Sequence, residues 1–199
     1  MKKLVILCVF LAAVYFATIC QDMAYLQNNV IRLHVVGHSN DGADQAVKLE
    51  LKDALLGYLY EQMPAQTDVD SVKVFLKDNI ENLEAYANDF LRSKGYDHAA
   101  KVSMKKEAFQ KRVYETFTLP SGVYESLRVC IGEGSGKNWW CVVFPTLCAG
   151  KNQQEYRDIA AGAGFSQNLI ETTMQEEGYE IRFYLLDCIG KIEKFFHFR

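Results

Sequence analysis

The chain has little proline, three residues in 199, and only two tryptophans, which stand side by side. It lacks a basic excess: 22 Lys and Arg face 25 Asp and Glu, for a net charge of −3. Nucleic-acid binding therefore has no electrostatic support. None of the six cysteines forms a C-x-x-C pair, so zinc-finger spacing is missing and neither a metal nor a cofactor is expected. No internal repeat or low-complexity tract occurs. No charge at all occurs between Lys3 and Asp22.

That last absence is the clearest targeting signal. Lys2-Lys3 form a positive n-region ahead of 17 uncharged residues, Leu4 to Cys20. Residues 1–24 read as a signal peptide or membrane anchor that leaves the lysines inside and exports the rest of the chain. Both fates stay open. Ala17-Thr18-Ile19-Cys20 is a poor cleavage site and a poor lipobox, and the run is at the short edge of a membrane span. If the segment is uncleaved, residues 4–20 contact the membrane; in either case it is expected to act only in export.

Apolar residues at 49% and charged residues at 24% describe a globular remainder. Residues 29–199 read as one extracytoplasmic domain. Export leaves four cysteines outside the apolar run: Cys130, Cys141, Cys148 and Cys188. A Cys141–Cys148 bridge would close a small loop across Pro145 and stabilise by about 2 kcal/mol. The other reading is two buried thiols acting as small hydrophobes.

Periodicity sets the fold class. Val30–Val36 reads as a strand and Asn40-Asp41-Gly42 as a turn. A helix runs from Asp44 to about Gln62 with Val47, Leu51, Ala54, Leu55 and Tyr58 at helical spacing, and Pro64 stops it. A capping box from Thr67 to Asp70 opens a second helix with Leu76, Ile80, Leu83, Ala87, Phe90 and Leu91 on one face, and Gly95 ends it. The pattern then alternates through Ala100–Lys105, Arg112–Leu119 and Val123–Ile131, with a turn at Pro120-Ser121-Gly122. Trp139–Phe144 is continuous and apolar, so it should be the most buried strand. These four runs predict an antiparallel meander. Lys151–Gly178 is looser, with a helix after Ser166. Tyr179–Leu185 reads as a last strand and Asp187–Phe198 as a closing amphipathic segment. The expected class is α+β: a helical hairpin on a mainly antiparallel β-sheet behind an N-terminal apolar export segment.

Few residues suggest chemistry. Gly132–Lys137 fails the phosphate-loop spacing and reads as a glycine-rich hairpin loop. Cys141 with His34 or His38 as base would make an exported hydrolase, although Cys141 lies inside a strand. Asp41, Asp44, Glu50 and Asp53 read as a solvated helix start. Arg32 and His34 share one strand face. Trp139 and Trp140 come directly after the glycine loop and face opposite sides, so at least one belongs to the core.

The run Gly132-Glu133-Gly134-Ser135-Gly136-Lys137-Asn138-Trp139-Trp140-Cys141-Val142-Val143-Phe144-Pro145-Thr146-Leu147-Cys148 resembles the signature of stage II sporulation protein R. Ile31-Arg32-Leu33-His34-Val35-Val36 with Asp44-Gln45-Ala46-Val47-Lys48 is similar to that family's first strand and first helix. The resemblance covers about Asn29 to Gly150. His38-Ser39-Asn40 stands where the family usually has Asn-Ser-Asp. The resemblance implies a non-enzymatic signal made in the forespore and exported into the space between forespore and mother cell. There it would trigger a membrane-embedded aspartic protease through that protease's extracytoplasmic face, so that the precursor of the first mother-cell sigma factor is cut. Arg32, His34, Lys137, Asn138, Trp139 and Trp140 are the candidates for contact with the protease. An exported Cys–His hydrolase and an anchored envelope binding protein unrelated to sporulation are the other classes.

Overall fold

A computed structural model describes residues 1–63, 68–149 and 152–197. Pro64, Thr67, Lys151 and Phe198, named as boundaries in the sequence, lie outside the described residues. The chain divides into two compact units, one of Met1–Asn29, Ala108–Tyr124 and Gly150–Arg199, the other of Val30–Glu107 and Glu125–Ala149.

The second unit holds the sheet. Strand β1 (Ile31–Val36) is followed by helices α2 (Gly42–Gln62), α3 (Val69–Asp78) and α4 (Ile80–Ser93). Strands β2 (Ala100–Phe109), β5 (Gly122–Ile131) and β6 (Asn138–Phe144) complete it. The predicted class holds: helices pack on one face of a mainly antiparallel four-stranded sheet. The meander does not. Strand order is β2-β5-β1-β6, with β1 parallel to β5 and antiparallel to β6. The first strand of the sequence is thus inserted between two later ones. All six of its residues are buried, whereas β6, at the sheet edge, leaves Asn138 exposed and Trp139 and Trp140 half-buried. The most buried strand is therefore β1 and not Trp139–Phe144.

Strand alternation sends Ile31, Leu33 and Val35 to the helical side. There they meet Leu51, Leu55 and Leu59 of α2, Leu76 of α3, and Leu83, Ala87 and Leu91 of α4 in one core. The second predicted helix is broken at Asn79, which ends α3 and opens α4. Asp68 caps α3, accepting the Asp70 and Ser71 N–H groups. At the end of α4, Gly95 has φ +67° and donates to the Arg92 carbonyl, while Tyr96 N–H reaches the Leu91 carbonyl. That double bond is the Schellman ending expected of a C′ glycine.

The first unit contains α1 (Lys2–Asn29), the two-residue strands β3 (Arg112–Val113) and β4 (Thr118–Leu119), and helices α5 (Gln153–Gly162), α6 (Gln167–Met174) and α7 (Glu180–His197). Ser166 caps α6 through the Leu169 N–H. Residues Tyr179–Leu185, expected as a strand, turn instead into the start of α7. The apolar alternation there is incidental: Phe183, Leu186 and Gly190 are buried at helical spacing. Asp187 accepts the Ser121 N–H at 2.7 Å, and Arg157 clamps Glu171 and Glu176.

α1 is long and apolar enough to cross a membrane. Of the run expected to act only in export, Leu4–Cys20, one residue, Ile19, is buried. The last turns of α1 pack within this unit: Ile19, Met23 and Leu26 are buried, Tyr25 donates to the Ala163 carbonyl, and Gln27 bonds Glu193. Leu26→Ala should therefore cost about 2–5 kcal/mol. Phe10→Ala, at an exposed position of the same helix, should stay within about 0.5 kcal/mol. Denaturation of the detergent-solubilised chain followed by circular dichroism checks the contrast.

Candidate functional site

Two polar constructions surround β1. The first is a row across the sheet. Register places His34 opposite Arg128 on β5 and opposite Trp140 on β6, so the three side chains stand level on the face away from the helices. The His34 and Trp140 rings stack with centroids 5.7 Å apart and planes 23° apart. Glu107, near the end of β2, ties the row together. Its carboxylate accepts from His34 Nδ1 at 3.0 Å and Arg128 Nη1 at 2.8 Å, with Lys105 Nζ 3.5 Å away. A carboxylate only accepts, so the proton of Nδ1 is fixed on the Glu107 side. Nε2 lies 3.0 Å from Oδ1 of Asn138, an acceptor, so this contact is a hydrogen bond only when Nε2 also carries a proton or the Asn138 amide is turned to present its NH2.

Burial pushes the Glu107 carboxyl up, but the hydrogen bonds from His34 and Arg128 outweigh it and bring the group down to about 2. The imidazole is held at Nδ1 by Glu107 and carries Trp140 on its face. Trp140 is thus a half-exposed aromatic plate on a rigid base. Trp139 points the other way, packing on the core with Lys52 Nζ 4.8 Å from its ring centre. The expected opposition of the two tryptophans is found.

The second construction closes the end of β1. The segment Gly132–Lys137 is not a hairpin loop, because β5 and β6 are not neighbours; it crosses over β1 to link them. To do so it passes against the turn at the end of β1. Gly136 N–H donates to the Gly37 carbonyl at 3.0 Å, and Ser135 N–H and Oγ both donate to the His38 carbonyl. A Cβ on Gly136 would collide with the Ser39 carbonyl, and Gly132 and Gly134 adopt φ of +54° and +62°. Glycine is required here by close approach and positive φ. Lys137 N–H donates to Asn40 Oδ1 at 2.8 Å, and the buried Lys48 ammonium donates to the Lys137 carbonyl at 2.9 Å. Desolvation, together with the nearby Lys137 charge, lowers the Lys48 pKa. His38 accepts from Glu133 N–H and stacks on His98 with centroids 3.6 Å apart. The two residues that depart from the turn expected by resemblance, His38 and Asn40, thus both hold the crossing loop through their side chains. Asp44, expected in a solvated helix start, is mostly buried and accepts from the Tyr96 hydroxyl at 2.5 Å.

The predicted contact residues divide. His34, Asn138 and Trp140 come together; Lys137 is exposed next to Asn138 in sequence, with its charge near Lys48 of α2. Arg32 is fully buried and presents nothing at the surface; Trp139 belongs to the helical side. Glu107, Arg128, Lys48 and His98 were missed. Lys48 had a readable signal, a lysine between the apolar positions Val47 and Leu51. Cys141 and Cys148 are joined as a disulfide, with Cα atoms 6.6 Å apart. Cys141 is in register with Leu33 and shares its helical-side face, opposite to His34. The Cys141–His34 hydrolase arrangement is thereby ruled out geometrically. No group of three or more metal-ligating side chains occurs among the described residues.

These features define an α+β protein with a potential membrane-crossing N-terminal helix and a rigid polar sheet face that lacks a Cys141–His34 nucleophile–base pair. The chain belongs to the stage II sporulation protein R family, whose model, described as "Stage II sporulation protein R", matches residues 27–154. It is 23% identical to the stage II sporulation protein R of Bacillus subtilis (strain 168) over 222 residues, covering 96% of this chain and 99% of that one. No solved structure matches. The family assigns the chain a role in sporulation.

The Glu107 carboxyl carries a pH signature. Its folded pKa, near 2, is below the ordinary 4.5, so its stabilisation is complete above about pH 4.5 and is lost as pH falls toward 2. The amount is roughly 3 kcal/mol. Glu107→Gln should lower stability by about that much at pH 7 and flatten the loss between pH 4.5 and 2, as read from urea denaturation at several pH values.

Proposed function

We propose that this chain is an exported, non-enzymatic sporulation signal. It acts in the space between forespore and mother cell on the extracytoplasmic face of a membrane-embedded aspartic protease, which then cuts the precursor of the first mother-cell sigma factor. The contact surface in this reading is Trp140 with Lys137 and Asn138, carried on the His34–Glu107–Arg128 base. The observation that supports it most is the half-exposed Trp140 plate, stacked on a histidine that Glu107 holds through Nδ1. Interfaces draw their energy from such preorganised Trp and Arg anchors. The non-enzymatic reading is supported by the opposite facing of Cys141 and His34 and by the engagement of Cys141 with Cys148.

Coexpression with the protease and the sigma precursor in a non-sporulating host tests it. Trp140→Ala should reduce precursor cleavage at least tenfold, while costing only about 0.5–1.5 kcal/mol of stability for the lost stack. Trp139→Ala, on the core side, should instead cost about 3 kcal/mol and retain cleavage wherever it stays folded. Folded Trp140→Ala and Lys137→Glu chains that activate normally would overturn the assignment.

A further inference from the structure

Helix α1 exposes its side chains on all sides as far as Ala17. A bilayer core of about 30 Å takes about 20 helical residues at 1.5 Å each. The uncharged stretch from Leu4 to Gln21 is 18 residues, so it has none to spare for this task. With Lys2 and Lys3 at one interface, the span must include Tyr15, Thr18 and Ile19.

Those residues already have protein neighbours from α6, α7 and their connection. Arg182 of α7 donates to Thr18 Oγ1 at 3.2 Å and to the Asp22 carboxylate at 2.5 Å, and its guanidinium lies 5.4 Å from the Tyr15 ring centre. Leu11 and Tyr15 share with Asn168, Tyr179 and Arg182 a cleft of about 510 Å³. Farther along, Gln27 meets Glu193, so α7 runs in the same direction as α1. The first turns of α7 are therefore level with the last turns of the span. If α1 crosses a bilayer, they cannot stand clear of it.

At that level α7 displays Ile181, 72% exposed, and Tyr184, 65% exposed, beside the exposed Glu180, whose carboxylate accepts the Gly178 N–H. The Tyr184 ring, one turn beyond Glu180, stands at headgroup depth, where such rings concentrate in membrane proteins, while Tyr15 lies within the span. The buried Arg182 is already paired with Asp22.

We propose that the N-terminal half of α7 docks into the headgroup region of the membrane that α1 spans, with Ile181 and Tyr184 as the inserted side chains. The unit formed by α1 and α5–α7 then lies on the membrane surface instead of swinging from a tether. The proposal rests on α1 being retained as an anchor. Photoreactive benzoylphenylalanine is placed at Phe10, Tyr184 or Phe196 of the full chain, which is reconstituted in phosphatidylcholine–phosphatidylglycerol vesicles and irradiated. Phe196 is 67% exposed and lies near the far end of α7, about 18 Å along the helix from Tyr184. Mass spectrometry should find phospholipid adducts from positions 10 and 184 and none from position 196. An adduct at 10 without one at 184 overturns the docking and leaves the anchor standing. No adduct at 10 removes the anchor and the docking with it. Equal adducts at 196 and 184 make the lipid contact unspecific and also overturn the docking.

Discussion

The structure of the sheet unit depends on the insertion of β1 between β5 and β6. Six residues, all buried, pair with a parallel neighbour on one side and an antiparallel one on the other. The chain that links β5 to β6 must then climb over the end of β1. That constraint accounts for the glycines of Gly132–Gly136 and for the side chains that meet them. Asn40 caps Lys137, His38 receives Glu133, and Lys48 is buried beneath the loop to hold the Lys137 carbonyl. A buried ammonium is unfavourable unless its protons are used, and here Gln45 and Lys137 accept two of them.

The same strand separates apolar from polar chemistry. Its odd residues, Ile31, Leu33 and Val35, build the helical core, together with Trp139 and Cys141 of β6. Its even residues face a different environment, in which His34 joins Arg128, Glu107 and Trp140. A buried carboxylate between two donors is weak evidence for stability, because desolvation offsets much of the attraction. Its firmer consequence is orientation: Glu107 fixes the imidazole, and the imidazole fixes the indole. In the proposed reading that rigidity is the functional property, because an aromatic anchor held in place loses little freedom on binding.

Much of this was legible in the residues. The extent of α2, the C′ role of Gly95 and the opposed tryptophans come from local periodicity and from glycine stereochemistry, which need no long-range information. The position of β1 was not legible, because it depends on pairing with segments about a hundred residues away, and alternation says nothing about which strand lies beside which. Tyr179, Ile181, Phe183 and Leu185 alternate like a strand, yet helical burial of Phe183, Leu186 and Gly190 decides their conformation. Glu107 looked like one more charge on an alternating strand. Only the register of β1 against β5, which brings His34 level with Arg128, explains the two donors it serves. The end of the apolar run also misled: charge stops the segment at Asp22, but burial against α7 begins earlier, at Ile19.

The direct measurement is site-specific photocrosslinking from the sheet face in cells that carry the protease and its sigma precursor. With the photoreactive residue at position 140, the proposed contact requires a covalent adduct with the protease, and position 139, on the helical side, should give none. An adduct from 139 alone, or none from 140 in a chain that still drives precursor cleavage, would contradict the assignment of this face.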